Sequence, residues 1–106
     1  MSRLSTHILD ATSGGPAVDV EVELRDADGA VIASGRTDDD GRLALGPDTL
    51  PDGDYTVAFA TGAYFSRHEV ATFYPSVTVT FTVAGLPHYH VPLLLSPFAY
   101  STYRGS

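Results

Sequence analysis

Val18-Asp19-Val20-Glu21-Val22-Glu23-Leu24-Arg25 alternates apolar and charged side chains without a break, the period of a strand with one buried and one wet face. Asp28-Gly29 follows as a hairpin signal, and Val31-Ile32-Ala33 begins a return strand that runs toward Arg36 and Thr37. Further turns are written as Gly14-Gly15-Pro16, Asp39-Asp40-Gly41 and Pro51-Asp52-Gly53. Tyr55 to Phe59 and Val77 to Val83 read as two more strands, the second again alternating. Short strands separated by turns every ~10 residues predict an all-β antiparallel sandwich or barrel rather than a βαβ plan. One segment, Thr61 to Val70, has the mixed polarity and possible cap of two helical turns.

Composition agrees with that pattern. Ten Asp mark turns, while ten Val and eleven Thr suit strands. The 106 residues make one domain, spanning 1–106, with room for a core that needs no staple. No cysteine is present, so disulfides, thiol nucleophiles and cysteine zinc sites are excluded. Thirteen acids against six Arg and no Lys give a net charge of −7, which argues against nucleic acid as a partner. No apolar run reaches the ~20 residues of a membrane span, and no export signal opens the chain. The expectation is a soluble, cytoplasmic protein.

His88-Tyr89-His90-Val91-Pro92-Leu93-Leu94-Leu95 breaks the alternation, being apolar on both faces of a strand. The simplest cover for the second face is another copy of the chain, with the Val91 to Leu95 segment buried between subunits. Pro92 has no N–H to give a ladder, which predicts a bulge or a solvent-side position. His88 and His90, two residues apart, point to one side of that strand, as a metal, a polar pocket or a wet surface would require. A catalytic metal needs a third ligand, and neither His7 nor His68 is shown to be near by sequence. Asp38-Asp39-Asp40-Gly41 lacks the closing Glu of a calcium loop and reads as a solvated hairpin turn, fixing Arg42 at the start of the next strand. A surface salt bridge is the plain alternative role for Arg42. No Gly-x-Ser-x-Gly elbow or phosphate loop occurs. Phe98 to Ser106 is strand-like, aromatic and carries Arg104 to the end of the sequence, which suggests a terminus held against something.

Leu4-Ser5-Thr6-His7-Ile8-Leu9-Asp10, His88-Tyr89-His90-Val91-Pro92-Leu93-Leu94-Leu95-Ser96-Pro97 and Tyr103-Arg104-Gly105-Ser106 together resemble the 5-hydroxyisourate hydrolases, the transthyretin-like proteins of purine catabolism, from about residue 4 to 106. The resemblance implies a transthyretin-like sandwich of two four-stranded sheets, with one short helix after the fifth strand. It also implies a homotetramer with sites in clefts between dimers, and no cofactor or metal. Its catalytic positions fall on His7, Arg42, His90 and Ser106. Tyr103 and Arg104 line the same pocket, and His88 stands as a neighbour that orients His90. The implied reaction adds water to a ring carbonyl of 5-hydroxyisourate, giving a ureidoimidazoline carboxylate. A histidine suits activation of that water, and a guanidinium suits the oxyanion. Three competing expectations stand beside it: a carrier of a small apolar ligand in a channel between subunits, a metal enzyme built on His88 and His90, and a plain structural sandwich.

Overall fold

A computed structural model describes residues 3–105. Its elements are β1 (Arg3–Asp10), β2 (Gly15–Pro16), β3 (Glu21–Arg25), β4 (Val31–Arg36), β5 (Arg42–Leu45), β6 (Gly53–Phe59), α1 (Thr61–Arg67), β7 (Val77–Val83), β8 (His88–Ser96) and β9 (Ala99–Thr102). In the alternating segment Val20, Val22 and Leu24 are fully buried, while Glu21, Glu23 and Arg25 point outward. β3 pairs antiparallel with β4 and with β6, and β7 closes a sheet of order β4-β3-β6-β7.

The second sheet is built around β8, which runs parallel to β1 on one side and antiparallel to β9 on the other. β5 and the two-residue β2 lie one after the other along the far edge of β1, so the sheet is four strands wide although five take part. With β2 set aside, α1 follows the fifth strand. The sheets enclose one apolar cluster that includes Ile8, Val22, Leu24, Val57, Phe59, Phe65 and Leu93. Each such side chain contributes roughly 1.5–3 kcal/mol by leaving water.

Several boundaries differ from the sequence expectations, each for a local reason. The strand expected from Val18 begins at Glu21, because Asp19 takes a left-handed backbone (φ 61°) that turns Val18 outward. The helix expected to reach Val70 stops at Arg67, where Glu69 (φ 57°) reverses the chain and the Val70 N–H returns to the Phe65 carbonyl. Gly15–Pro16 pairs with β1 as a short strand instead of completing a turn. The Asp38–Gly41 turn does not join a hairpin, since β4 and β5 belong to different sheets.

β8 also corrects the expected burial. Tyr89, Val91, Leu93 and Leu95 all face the protein's own core, and only Leu94 of the Val91 to Leu95 segment is exposed, at 42 %. Pro92 is buried within the strand rather than on a bulge. Its missing N–H falls where the β8–β9 ladder ends at Leu93 and Thr102, and Thr102 Oγ1 donates to the Pro92 carbonyl in place of a backbone group.

The crossing from β4 to β5 depends on Gly41. Its φ of 73° is left-handed, and a Cβ there would lie 2.5 Å from the Ile8 carbonyl oxygen and 3.0 Å from Pro16 Cβ. The Gly41 carbonyl accepts the Ile8 N–H at 2.8 Å, tying the turn to β1. Gly41→Ala is expected to lower stability by about 3 kcal/mol, the sum of left-handed strain and backbone overpacking, measured as a shift in urea midpoint at fixed protein concentration.

Candidate active site

Directly paired residues on neighbouring strands point to the same side of a sheet. In β1, Ser5 lies opposite His90 and His7 opposite Pro92, while on the other edge His7 lies opposite Arg42 of β5. Ser5 and His7, two apart, therefore share the outward face with Arg42, His88 and His90. Residues 83 positions apart in the chain meet there, since Ser5 Oγ lies 2.9 Å from His88 Nε2 and 2.7 Å from His90 Nδ1. The two imidazoles stack with centroids 6.3 Å apart and planes inclined by 22°.

The turn before β5 fixes two members of this group. Asp38 Oδ1 accepts the N–H groups of Asp40 and Arg42, both at 2.9 Å, so Arg42 starts its strand from a closed loop. Those N–H bonds, that of Arg42 first, hold the Asp38 carboxyl below its usual range. The same loop presents the Asp40 carbonyl to His7 Nε2 at 3.0 Å. A carbonyl only accepts, so His7 carries its proton on Nε2 and, when neutral, leaves Nδ1 as its basic nitrogen.

His90 is held below the ordinary histidine range, first by burial and then by the charges of His88, Arg42 and His7, with Ser5 opposing. It is therefore neutral, and able to accept a proton, at pH 7. Ion pairs among the described residues engage Arg25 and Arg36. Arg42 is not bridged to a described carboxylate, contrary to its plain alternative role. In a chain of charge −7, the Arg42 guanidinium thus stands within electrostatic range of three histidines and of the Asp38 carboxylate.

The chain end returns to His90 from the other flank. Beyond Pro92 the pairing resumes in the same register, with the Gly105 N–H donating to the His90 carbonyl at 2.9 Å. A Cβ on Gly105 would come within 2.5 Å of His90 Cδ2, so only glycine lets the terminus lie flat against that ring. Tyr103 and Arg104 line a cavity of about 290 Å³ with His90, Tyr89 and Val91 and with Val79 and Phe81 of β7, and this hollow includes neither His7 nor Arg42. Arg104 also borders a second hollow beside His88 and Gly105. Ser106 lies outside the described residues.

His68 is not part of this group: it follows α1, its ring against Tyr64 at 4.6 Å, in a separate hollow that contains Asp10. Among the described residues no three His, Asp or Glu side chains are grouped to hold a metal ion. Sequence reasoning missed Ser5. Its only signal was its place two residues before His7, and nothing in the sequence says that β1 and β8 are parallel neighbours.

Residues 4–105 match the HIUase/Transthyretin family. A 5-hydroxyisourate hydrolase of Salmonella typhimurium is 49 % identical over 109 residues, covering 97 % of this chain and 80 % of the relative. The structure of Klebsiella pneumoniae 5-hydroxyisourate hydrolase superposes with a TM-score of 0.93 at 40 % identity, covering 100 % of both chains. Sea bream transthyretin, solved in complex with thyroxine, superposes with a TM-score of 0.88 at 35 % identity over 96 % of this chain and 93 % of its own. With two sheets, one short helix and a histidine-bearing β1–β8 seam, this chain belongs to the HIUase/Transthyretin family.

Proposed function

We propose that this protein hydrolyses 5-hydroxyisourate, opening its six-membered ring without a cofactor. The observation that carries the proposal is the cluster of His7, Arg42 and His90 on one face, with His90 kept neutral by its surroundings. Relatives named as 5-hydroxyisourate hydrolases, matched over nearly the whole chain, support it. In this reading His7 Nδ1 or His90 accepts a proton from water as the water oxygen bonds to a ring carbonyl carbon. The carbonyl oxygen becomes an oxyanion, which the Arg42 guanidinium stabilises. Collapse breaks the ring C–N bond, and the imidazolium returns its proton to the departing nitrogen. The product is a ureidoimidazoline carboxylate.

In this reading Tyr103 and Arg104 reach the substrate from the hollow they line with His90, and Ser106 contributes its hydroxyl. The likeness to transthyretin favours a second reading, a carrier of a small ligand. A histidine-rich, guanidinium-bearing face is a poor lining for an apolar ligand, so hydrolysis is preferred.

The active form in this proposal is a homotetramer. Leu9 and Leu94 are paired across β1 and β8 on the same outward face as the histidines, 36 % and 42 % exposed. An apolar pair next to a polar cluster fits a seam where a second copy covers the leucines and completes the cleft.

Urate and urate oxidase generate the substrate in the cuvette, and its ultraviolet absorbance then reports hydrolysis. Addition of this protein is expected to accelerate the decay, with a chelator present or not; decay at the spontaneous rate would leave the carrier. Arg42→Ala is expected to lower turnover by about 10² to 10³, the usual cost of losing an oxyanion donor, and His7→Ala and His90→Ala by roughly 10² or more. In the wild type kcat/KM falls as acid protonates His90; because its pKa is lowered, that acid limb is expected below the ordinary value of about 6.5. Leu94→Asp is expected to yield smaller particles in analytical ultracentrifugation and to lose activity with them.

A further inference from the structure

From the bridge it makes between the two imidazoles, we infer that Ser5 is a positioning residue that sets the tautomer of His90 and links that ring to His88 as a proton path toward solvent. The inference rests on the hydrolase reading for its effect on turnover, but its structural half does not.

Ser5 Oγ is within hydrogen-bond distance of His88 Nε2 (2.9 Å) and His90 Nδ1 (2.7 Å). A hydroxyl has one proton and two lone pairs. When that proton lies between the rings, one imidazole gives to Ser5 and the other receives from it, so the two tautomers are tied together. In one state His90 Nδ1–H donates to Ser5, Ser5 donates to His88 Nε2, and His90 Nε2 is bare. In the other the directions reverse and His90 carries its proton on Nε2. The first state suits a base and the second an acid, the two roles hydrolysis asks of one histidine in turn.

The exchange balances. After His90 Nε2 takes a proton from water, His90 Nδ1 passes its proton to Ser5 Oγ and Ser5 passes its own to His88 Nε2. Serine ends as it began, and the positive charge has moved from half-buried His90 to exposed His88; when His90 Nε2 gives its proton to the departing nitrogen the two transfers run back, so both rings end neutral. Arg42 adds positive charge on the His90 side and favours that transfer. Arg3 of β1 lies opposite His88, and Arg104 of the terminal segment borders the hollow shared with it. The carbonyl of His90 is held by Gly105, and the Ser5 backbone by the β1–β8 ladder, so neither partner needs to search for the other.

The test combines ¹⁵N NMR of histidine-labelled protein, free of substrate, with steady-state kinetics. In the wild type the His90 and His88 rings are expected to share one tautomer, both protonated on Nδ1 or both on Nε2; Ser5→Ala should abolish that coupling, and Ser5→Thr should restore it. Ser5→Ala should lower kcat by about tenfold or more with KM little changed, a loss at the low end of general acid–base effects, and Ser5→Thr should recover most of it. His88→Gln keeps a partner for the hydroxyl but cannot carry the proton, so its kcat should fall in dilute buffer and rise again with added imidazole. Tautomers identical in wild type and Ser5→Ala overturn the inference whatever the activity. So does an unchanged kcat in Ser5→Ala when the wild type is active. A wild type without hydrolysis would remove the hydrolase reading, and the NMR comparison would still decide the Ser5 link.

Discussion

The parallel pairing of β1 with β8 is the constraint on which the rest of the structure depends. Eight consecutive residues, Arg3 to Asp10, match His88 to Leu95, and this ladder joins the first strand of the chain to its penultimate one. Thr6, buried on the core side, donates its hydroxyl to the Val91 carbonyl at 2.6 Å and pins the register from below. A slip of one residue would send Ser5 and His7 into the core and Thr6 and Ile8 out of it. Ile8, fully buried, and His90, kept partly wet, thus enforce the same alignment from opposite sides.

That ladder makes the sheet two-faced. Its inner side contributes Ile8, Tyr89, Val91, Leu93 and Leu95 to the core. Its outer side runs from polar Ser5, His7, His88 and His90 to apolar Leu9 and Leu94. The two outer halves have separate physical consequences. Burial first, and then the charges of His88, Arg42 and His7, disfavour protonation of His90, which keeps it able to accept a proton. Leu9 and Leu94 leave an apolar pair on the surface beside that polar cluster.

Two short segments then finish the arrangement. The Asp38–Gly41 turn, closed by the Asp38 carboxylate, sets Arg42 in its place and fixes the His7 tautomer through the Asp40 carbonyl. Pro92 interrupts the last ladder, and this break lets Tyr103 and Arg104 stand free of regular pairing before Gly105 closes on His90. A proline inside a strand, awkward for the sheet, thereby separates a structural strand from a pocket wall.

Much of this was legible in the sequence. The alternation at Val20 to Leu24 and at Val77 to Val83, the Asp28-Gly29 hairpin and the helix near Thr61 are local patterns, since side-chain period and turn chemistry act over a few residues. His7, Arg42, His88 and His90 stood out through residue type and resemblance. What the sequence could not decide was everything that depends on which strands are neighbours: that β4 and β5 separate into different sheets, and that Val91, Leu93 and Leu95 face their own core. The meeting of Ser5 with both histidines is of the same kind. A strand's pattern states which face is buried but not against what, because pairing partners are chosen by the packing of the whole chain. By itself the sequence determined the strands and the chemical groups; the tertiary structure alone decided their company, and the charge and proton positions of His90 follow from that company.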